Sequence, residues 1–248
     1  MEKLFDGVVL CDELFLQYHA YTEGRTEAYS RNTINQLMKY RRSGFVANVM
    51  QYNRCGISIP ENLEPQLRRY GLTDQSLSEL AKTHTYYKIV LSDSKSSFPF
   101  VNILSKDEKI DVSMTGSFTL HENRNKAKEH IAALCSNAKE ILLFDKHIDN
   151  PDQKENIKAV LNYILPKDHP VKVKSYVKLP GDVIHYLKRD YGKREFDNLG
   201  VDDADTYHDR YIIVDKTLEI LLSSGFDHLA KDVSDLTYVI RPIEKSRF

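Results

Sequence analysis

The sequence predicts an α/β protein in two parts: a mixed sheet flanked by helices over residues 118–248, preceded by a smaller α+β domain over residues 1–117. Three observations predict it. From Asn123 onward, short apolar runs alternate with amphipathic stretches at helical spacing, the rhythm of a largely parallel sheet with crossover helices. One of those runs, Tyr211 to Val214, is apolar on both faces, as a strand inside such a sheet must be. Before Asn123 the order differs, with helical stretches first and strand-like ones after them.

Taken in order, residues 1–29 show no clear period, although Val8 to Leu10 and Leu14 to Leu16 read as short buried pieces. Ser30 caps a helix through Ile34, Leu37 and Met38, and Phe45, Val46 and Val49 follow a break at Gly44. A second helix over Leu67 to Tyr70 is closed by Gly71, and a third begins at Thr73 and carries Leu77, Leu80 and Ala81. Tyr86 to Leu91, Phe98 to Leu104 and Val112 to Leu120 are aromatic and β-branched, with Ser/Asp/Lys turns between them, and read as strands. The second part then runs helix (Ala127, Ile131, Ala132, Leu134), strand (Glu140 to Phe144), helix (Ile157, Val160, Leu161, Ile164), strand (Val171 to Val177) and short helix (Val183 to Leu187). Tyr211 to Val214, Glu219 to Ser223 and Leu236 to Ile240 close the sheet with short connections, which implies antiparallel additions.

Composition narrows the function classes. The chain has 248 residues, 41% of them hydrophobic, enough for a sizeable core. Thirty-five Lys and Arg against 36 Asp and Glu give a net charge of −1, so a nucleic-acid site must be a local feature. Cys11, Cys55 and Cys135 form neither a C-x-x-C pair nor an even set, which points away from a disulfide framework or a zinc module and toward the reducing cytoplasm. The N-terminus lacks the pattern of a signal peptide, and no stretch approaches the roughly 18 apolar residues of a membrane span.

The chemistry-bearing segment is Tyr207-His208-Asp209-Arg210-Tyr211-Ile212-Ile213-Val214-Asp215. Residues two apart on a strand share a face, so His208 and Arg210 project together, while Asp215 falls where the strand turns. An imidazole serves as nucleophile or proton donor near neutrality, and a guanidinium grips phosphate oxygens bidentately. Leu221-Leu222-Ser223-Ser224-Gly225 ends the next strand, and its hydroxyls beside a cation suit a phosphate.

This stretch resembles the H-x-K-x4-D signature of the phospholipase D superfamily, whose fuller form continues x6-G-S-x-N. His208 stands at the nucleophile, Arg210 at the Lys, Asp215 at the Asp and Ser223 at the Ser. Leu222 replaces the first Gly, and Gly225 stands at the Asn position. The tract from about 118 to 248 is also similar to the phospholipase D-like C-terminal domains of MIT-domain proteins, which carry a tripeptide like His208-Asp209-Arg210 and are associated with membrane binding. The resemblance implies a phospholipase D-like sheet and a homodimer that pairs two single motifs. It also implies a phosphohistidine intermediate, with no metal and no cofactor. It points to a nuclease and, by analogy with small bacterial members, to phage defence. The altered Lys and Asn positions favour a rival, a silent module that holds a phosphate of DNA, RNA or phosphoinositide. A third reading is an adaptor within a larger complex.

Secondary candidates come with plainer readings. Asp145 and His147 follow the strand Ile141 to Phe144, at the end where α/β sheets bind ligands, but a solvated turn capped by Asp149 or Asn150 before Pro151 explains them equally. Asp202, Asp203, Asp205 and Asp209 read as an exposed acidic loop before they read as a metal site. Lys39, Arg41, Arg42, Arg68 and Arg69, interleaved with Tyr40 and Tyr70, suit nucleic-acid backbone and base stacking, although helix surfaces carry such residues routinely.

Overall fold

The computed structural model describes residues 4–40, 44–189, 192–199 and 209–243. The chain divides into two compact units, Met1–Glu108 and Lys109–Phe248. The division falls before residue 117 because the strand at 115–118 pairs into the second sheet.

In the first unit the order is β1 (Val8–Leu10), α1 (Asp12–Thr22), α2 (Arg31–Lys39), β2 (Phe45–Val46), α3 (Val49–Arg54), α4 (Glu64–Arg69), α5 (Leu77–His84), β3 (Val90–Ser92) and β4 (Phe100–Asn102). The four strands form one sheet in the order β2-β1-β3-β4, and every pair is parallel. Helices and strands are therefore interleaved rather than consecutive. The undecided Val8 to Leu10 is an inner strand whose residues are 0–2% exposed. Strands buried on both faces need no alternation, and three residues are too few to show any. Phe45 and Val46 pair with β1 instead of extending a helix. α5 is capped by Ser76 rather than Thr73, with Glu79 returning a bond to the Ser76 N–H.

The second unit contains β5 (Thr115–Phe118), α6 (Asn125–Cys135), β6 (Glu140–Phe144), α7 (Lys154–Ile164), β7 (Val171–Ser175), α8 (Gly181–Arg189), β8 (Arg194–Asn198), β9 (Arg210–Val214), β10 (Leu218–Leu222) and β11 (Leu236–Pro242). Its seven-stranded mixed sheet runs β5-β11-β10-β9-β6-β7-β8. β6, β7 and β8 are parallel, and β9, β10, β11 and β5 add antiparallel to them. The successive right-handed crossovers from β6 to β7 and from β7 to β8 put α7 and α8 on one face, and α6 packs beside α7.

That face is the main core. Ile141, Leu143, Val173, Ile212, Ile220, Leu222 and Tyr238 lie on it by register and are fully buried. Each such side chain contributes about 1.5–3 kcal/mol by burial. The other face carries Leu142, Phe144 and Ile213 under Tyr176, Tyr211 and Ile243, and beside them the surface ion pairs Lys172–Asp197, Lys174–Glu140 and Arg241–Glu219. Among the described residues no helix is long and apolar enough to cross a membrane.

Candidate functional site

The antiparallel register sets Tyr211 opposite Phe144 and Arg210 opposite Leu222, so the end of β6, the start of β9 and the end of β10 share one sheet edge. Asp145 leaves β6 there, only 4% exposed. Its Oδ1 accepts the His147 N–H at 2.9 Å and its Oδ2 accepts the Phe226 N–H at 3.0 Å. The Nε of Arg210 lies 3.9 Å from Asp145 Oδ1, with about a fifth of the Arg210 side chain exposed. A buried carboxylate thus holds a guanidinium at the sheet edge and ties it to the turn after β10.

That turn is a 3-10 segment, Phe226–Leu229. A Cβ at Gly225 would meet Asp227 Oδ1 at 2.6 Å and Asp145 Oδ2 at 3.4 Å, so the glycine admits two carboxylates to one spot. Asp227 also faces Lys231 at 3.6 Å and the Nε2 of His228 at 3.9 Å. His228 Nδ1 lies 2.7 Å from Ser234 Oγ. The Ser234 carbonyl accepts a bond from the buried Arg124 guanidinium, whose charged form burial disfavours, pushing its pKa down. Lys231 also reaches Gln153 ahead of α7. Sequence reading noted Asp227 and His228 as bordering this turn but missed Ser234, Lys231 and Arg124; the one local signal was their proximity to Ser223-Ser224-Gly225.

The structure separates some predicted residues and gathers others. Arg210 and Asp145 come together; His208 lies outside the described residues. Asp215 sits at the far end of β9, five residues or roughly 16 Å from Arg210. Its Oδ1 accepts the N–H groups of Lys139 and Glu140, both at 2.8 Å, closing the start of β6 against the β9–β10 turn. Asp215 and Lys216 both take positive φ, 50° and 57°, in that turn, a conformation Asp tolerates better than most residues. Ser223 Oγ accepts the Thr237 N–H, and the Ser224 hydroxyl donates to the Asp235 carbonyl, so both hydroxyls brace the β10–β11 loop. His147 is exposed on a turn in which Asn150 caps the segment at Pro151. Asp209 accepts the Tyr211 hydroxyl, and Asp202, Asp203 and Asp205 lie outside the described residues.

In the first unit Lys39 is exposed and donates to Gln36, while Arg68 pairs with Glu64 at 2.7 Å beside the exposed Arg69. Arg41 and Arg42 lie outside the described residues. Tyr40 is buried in the core, so of the two interleaved tyrosines Tyr70 alone presents a ring to solvent. Burial pushes the Cys11 and Cys55 thiols up to about 11 and Cys135 to about 12, which removes them as neutral-pH nucleophiles.

Fold and site define an α/β protein with a guanidinium–carboxylate centre at a strand-end crevice. No family model and no curated protein matches the chain. Among solved structures it is similar to NucT from Helicobacter pylori, with 15% identity over 51% of this chain and 84% of that one and a TM-score of 0.31. It is also similar to TrmBL2, an archaeal chromatin protein described as showing a novel mode of DNA binding, with 17% identity over 50% of this chain and 45% of that one and a TM-score of 0.24. Likeness at this level leaves the function to be argued from the site.

Proposed function

We propose that the second unit is a phospholipase D-like phosphodiesterase that cleaves nucleic acid without a metal. The observation that carries the reading is Arg210, a permanent cation at a ligand-binding edge of the sheet, oriented by the buried Asp145 and set two residues after an imidazole in the sequence. In this reading His208 attacks phosphorus, Arg210 neutralises the phosphate oxygens and the leaving oxygen takes up a proton. Water then releases His208. Lys39, Arg41, Arg42, Arg68 and Arg69 are the proposed backbone contacts of the first unit, and phage defence is the proposed setting.

The test is incubation of the purified chain with single- and double-stranded DNA and RNA in EDTA, wild type against His208→Ala. Cleavage by the wild type that the variant loses supports the reading. No cleavage by the wild type overturns it. The engagement of the Ser223 and Ser224 hydroxyls and of Arg210 within the protein favours one second reading, a silent phosphate-binding module. Retention of a polyanion that weakens steeply with salt, without cleavage, is its signature.

A further inference from the structure

We propose that His228 is the acid that protonates the leaving oxygen, supplied by the same chain as Arg210; this rests on the phosphodiesterase reading above. The resemblance calls for two imidazoles and finds one motif per chain. The structure offers a second imidazole without a second copy. A run of contacts leads from Arg210 to Asp145, past Gly225 to Asp227, and on to His228. His228 belongs to the turn whose first N–H is bound by Asp145, and its side chain is 26% exposed, open to a ligand yet held.

The two ring nitrogens are differently placed. Nδ1 lies 2.7 Å from Ser234 Oγ, whose hydroxyl has the Asp235 carbonyl as its own acceptor at 3.5 Å. With Nδ1–H donating to Ser234, Nε2 is the working atom. Beside it stands the Asp227 carboxylate at 3.9 Å, which favours the imidazolium, while Lys231 at 3.6 Å from that carboxylate moderates it. Arg124 fixes Ser234 from the start of α6. Ser234 and Arg124 are positioning residues; His228 alone meets the substrate.

The step balances. As the nucleophile's bond to phosphorus forms, the P–O bond to the leaving group breaks, and its electron pair stays on oxygen. That oxygen takes the proton from Nε2. The neutral ring then accepts a proton from the attacking water as the phosphoenzyme opens, which restores the imidazolium.

An acid of this kind matters only when the leaving group is poor. His228→Gln is therefore compared with wild type on an oligonucleotide, whose alkoxide needs a proton, and on bis(p-nitrophenyl) phosphate, whose phenolate does not. Loss of an acid costs about 10²–10⁴-fold; that loss is expected on the oligonucleotide, against less than about tenfold on the activated ester. Ser234→Ala, which keeps the ring, must show the same selectivity on a smaller scale. Equal losses on both substrates in either folded variant, or no loss on either, overturn His228 as the acid and leave the phosphodiesterase reading standing. A wild type that cleaves neither substrate overturns both.

Discussion

Replacing Asp145 with Asn tests the centre of the site with almost no change of shape. The carboxylate is 4% exposed and accepts two backbone N–H bonds, from His147 at 2.9 Å and Phe226 at 3.0 Å. An amide keeps one acceptor oxygen, but its NH2 must then point at one of those N–H groups. One charge-assisted bond is lost, about 1.5–3 kcal/mol, and a buried donor is left facing a donor, about 1–3 kcal/mol more. The Arg210 contact, at 3.9 Å and partly solvated, adds little to that sum. A total of about 3 kcal/mol lowers the melting temperature by roughly 6–12 °C at this chain length. The assay is thermal unfolding followed by circular dichroism, with Asp149→Asn on the exposed part of the same turn as control. If Asp145→Asn melts within about 2 °C of the wild type, the carboxylate does not organise the edge and Arg210 is not held by it.

Three further outcomes follow from single contacts. Arg194, 2% exposed, donates to the carbonyls of Leu165, Pro166 and Leu187 and to Asn162, pinning the ends of α7 and α8. Arg194→Lys keeps the charge but loses the fork, and it should destabilise by about 3–5 kcal/mol in urea unfolding; a loss under about 1 kcal/mol would contradict the role. A Cβ at Gly116 would sit 2.1 Å from the Tyr238 ring, so Gly116→Ala should detach β5 and expose its amides to hydrogen exchange, whereas unchanged protection would place β5 outside this sheet. Burial first, and then the charge of Lys82, pull the Lys88 ammonium down from 10.5 to about 8. Below pH 8 both states hold the proton and the cost is present in full. Between pH 8 and 10.5 the native chain gives it up while the unfolded chain keeps it, so wild-type stability should rise relative to Lys88→Met by up to about 3 kcal/mol. The raised thiols are common to both proteins and cancel, and parallel melting curves across that window would refute the burial.

Legibility followed burial. β6, β9 and β10 were readable as apolar runs because both faces of each are covered, and α6 and α7 because one covered face imposes helical spacing. β8 was invisible: Arg194 to Asn198 is a polar edge strand whose one buried side chain is an arginine, and no hydrophobic pattern advertises that. α1 hid because its apolar residues lie around much of the helix rather than along one stripe, and β1 because it is short. At the site, spacing placed Arg210 correctly at the start of β9 and Asp215 at its turn. The partner of Arg210 arrives from β6, 65 positions earlier, through a pairing that spacing does not encode.

The two ends of β9 show why one short motif carries two jobs. β9 runs opposite to β6, so the residue that opens β9 meets the residue that closes β6, and the residue that closes β9 meets the start of β6. Arg210 at the first end has an acid, a glycine turn and partial solvent access; Asp215 at the other spends its oxygen on two backbone N–H groups. An Asp215→Asn change should therefore act on stability and spare any property of the Arg210 edge, whereas changes at Arg210 should do the reverse. Residues that sit within six positions in the chain are in this way divided between holding the sheet together and presenting a cation at its edge. The antiparallel insertion of β9 between β6 and β10 is what divides them.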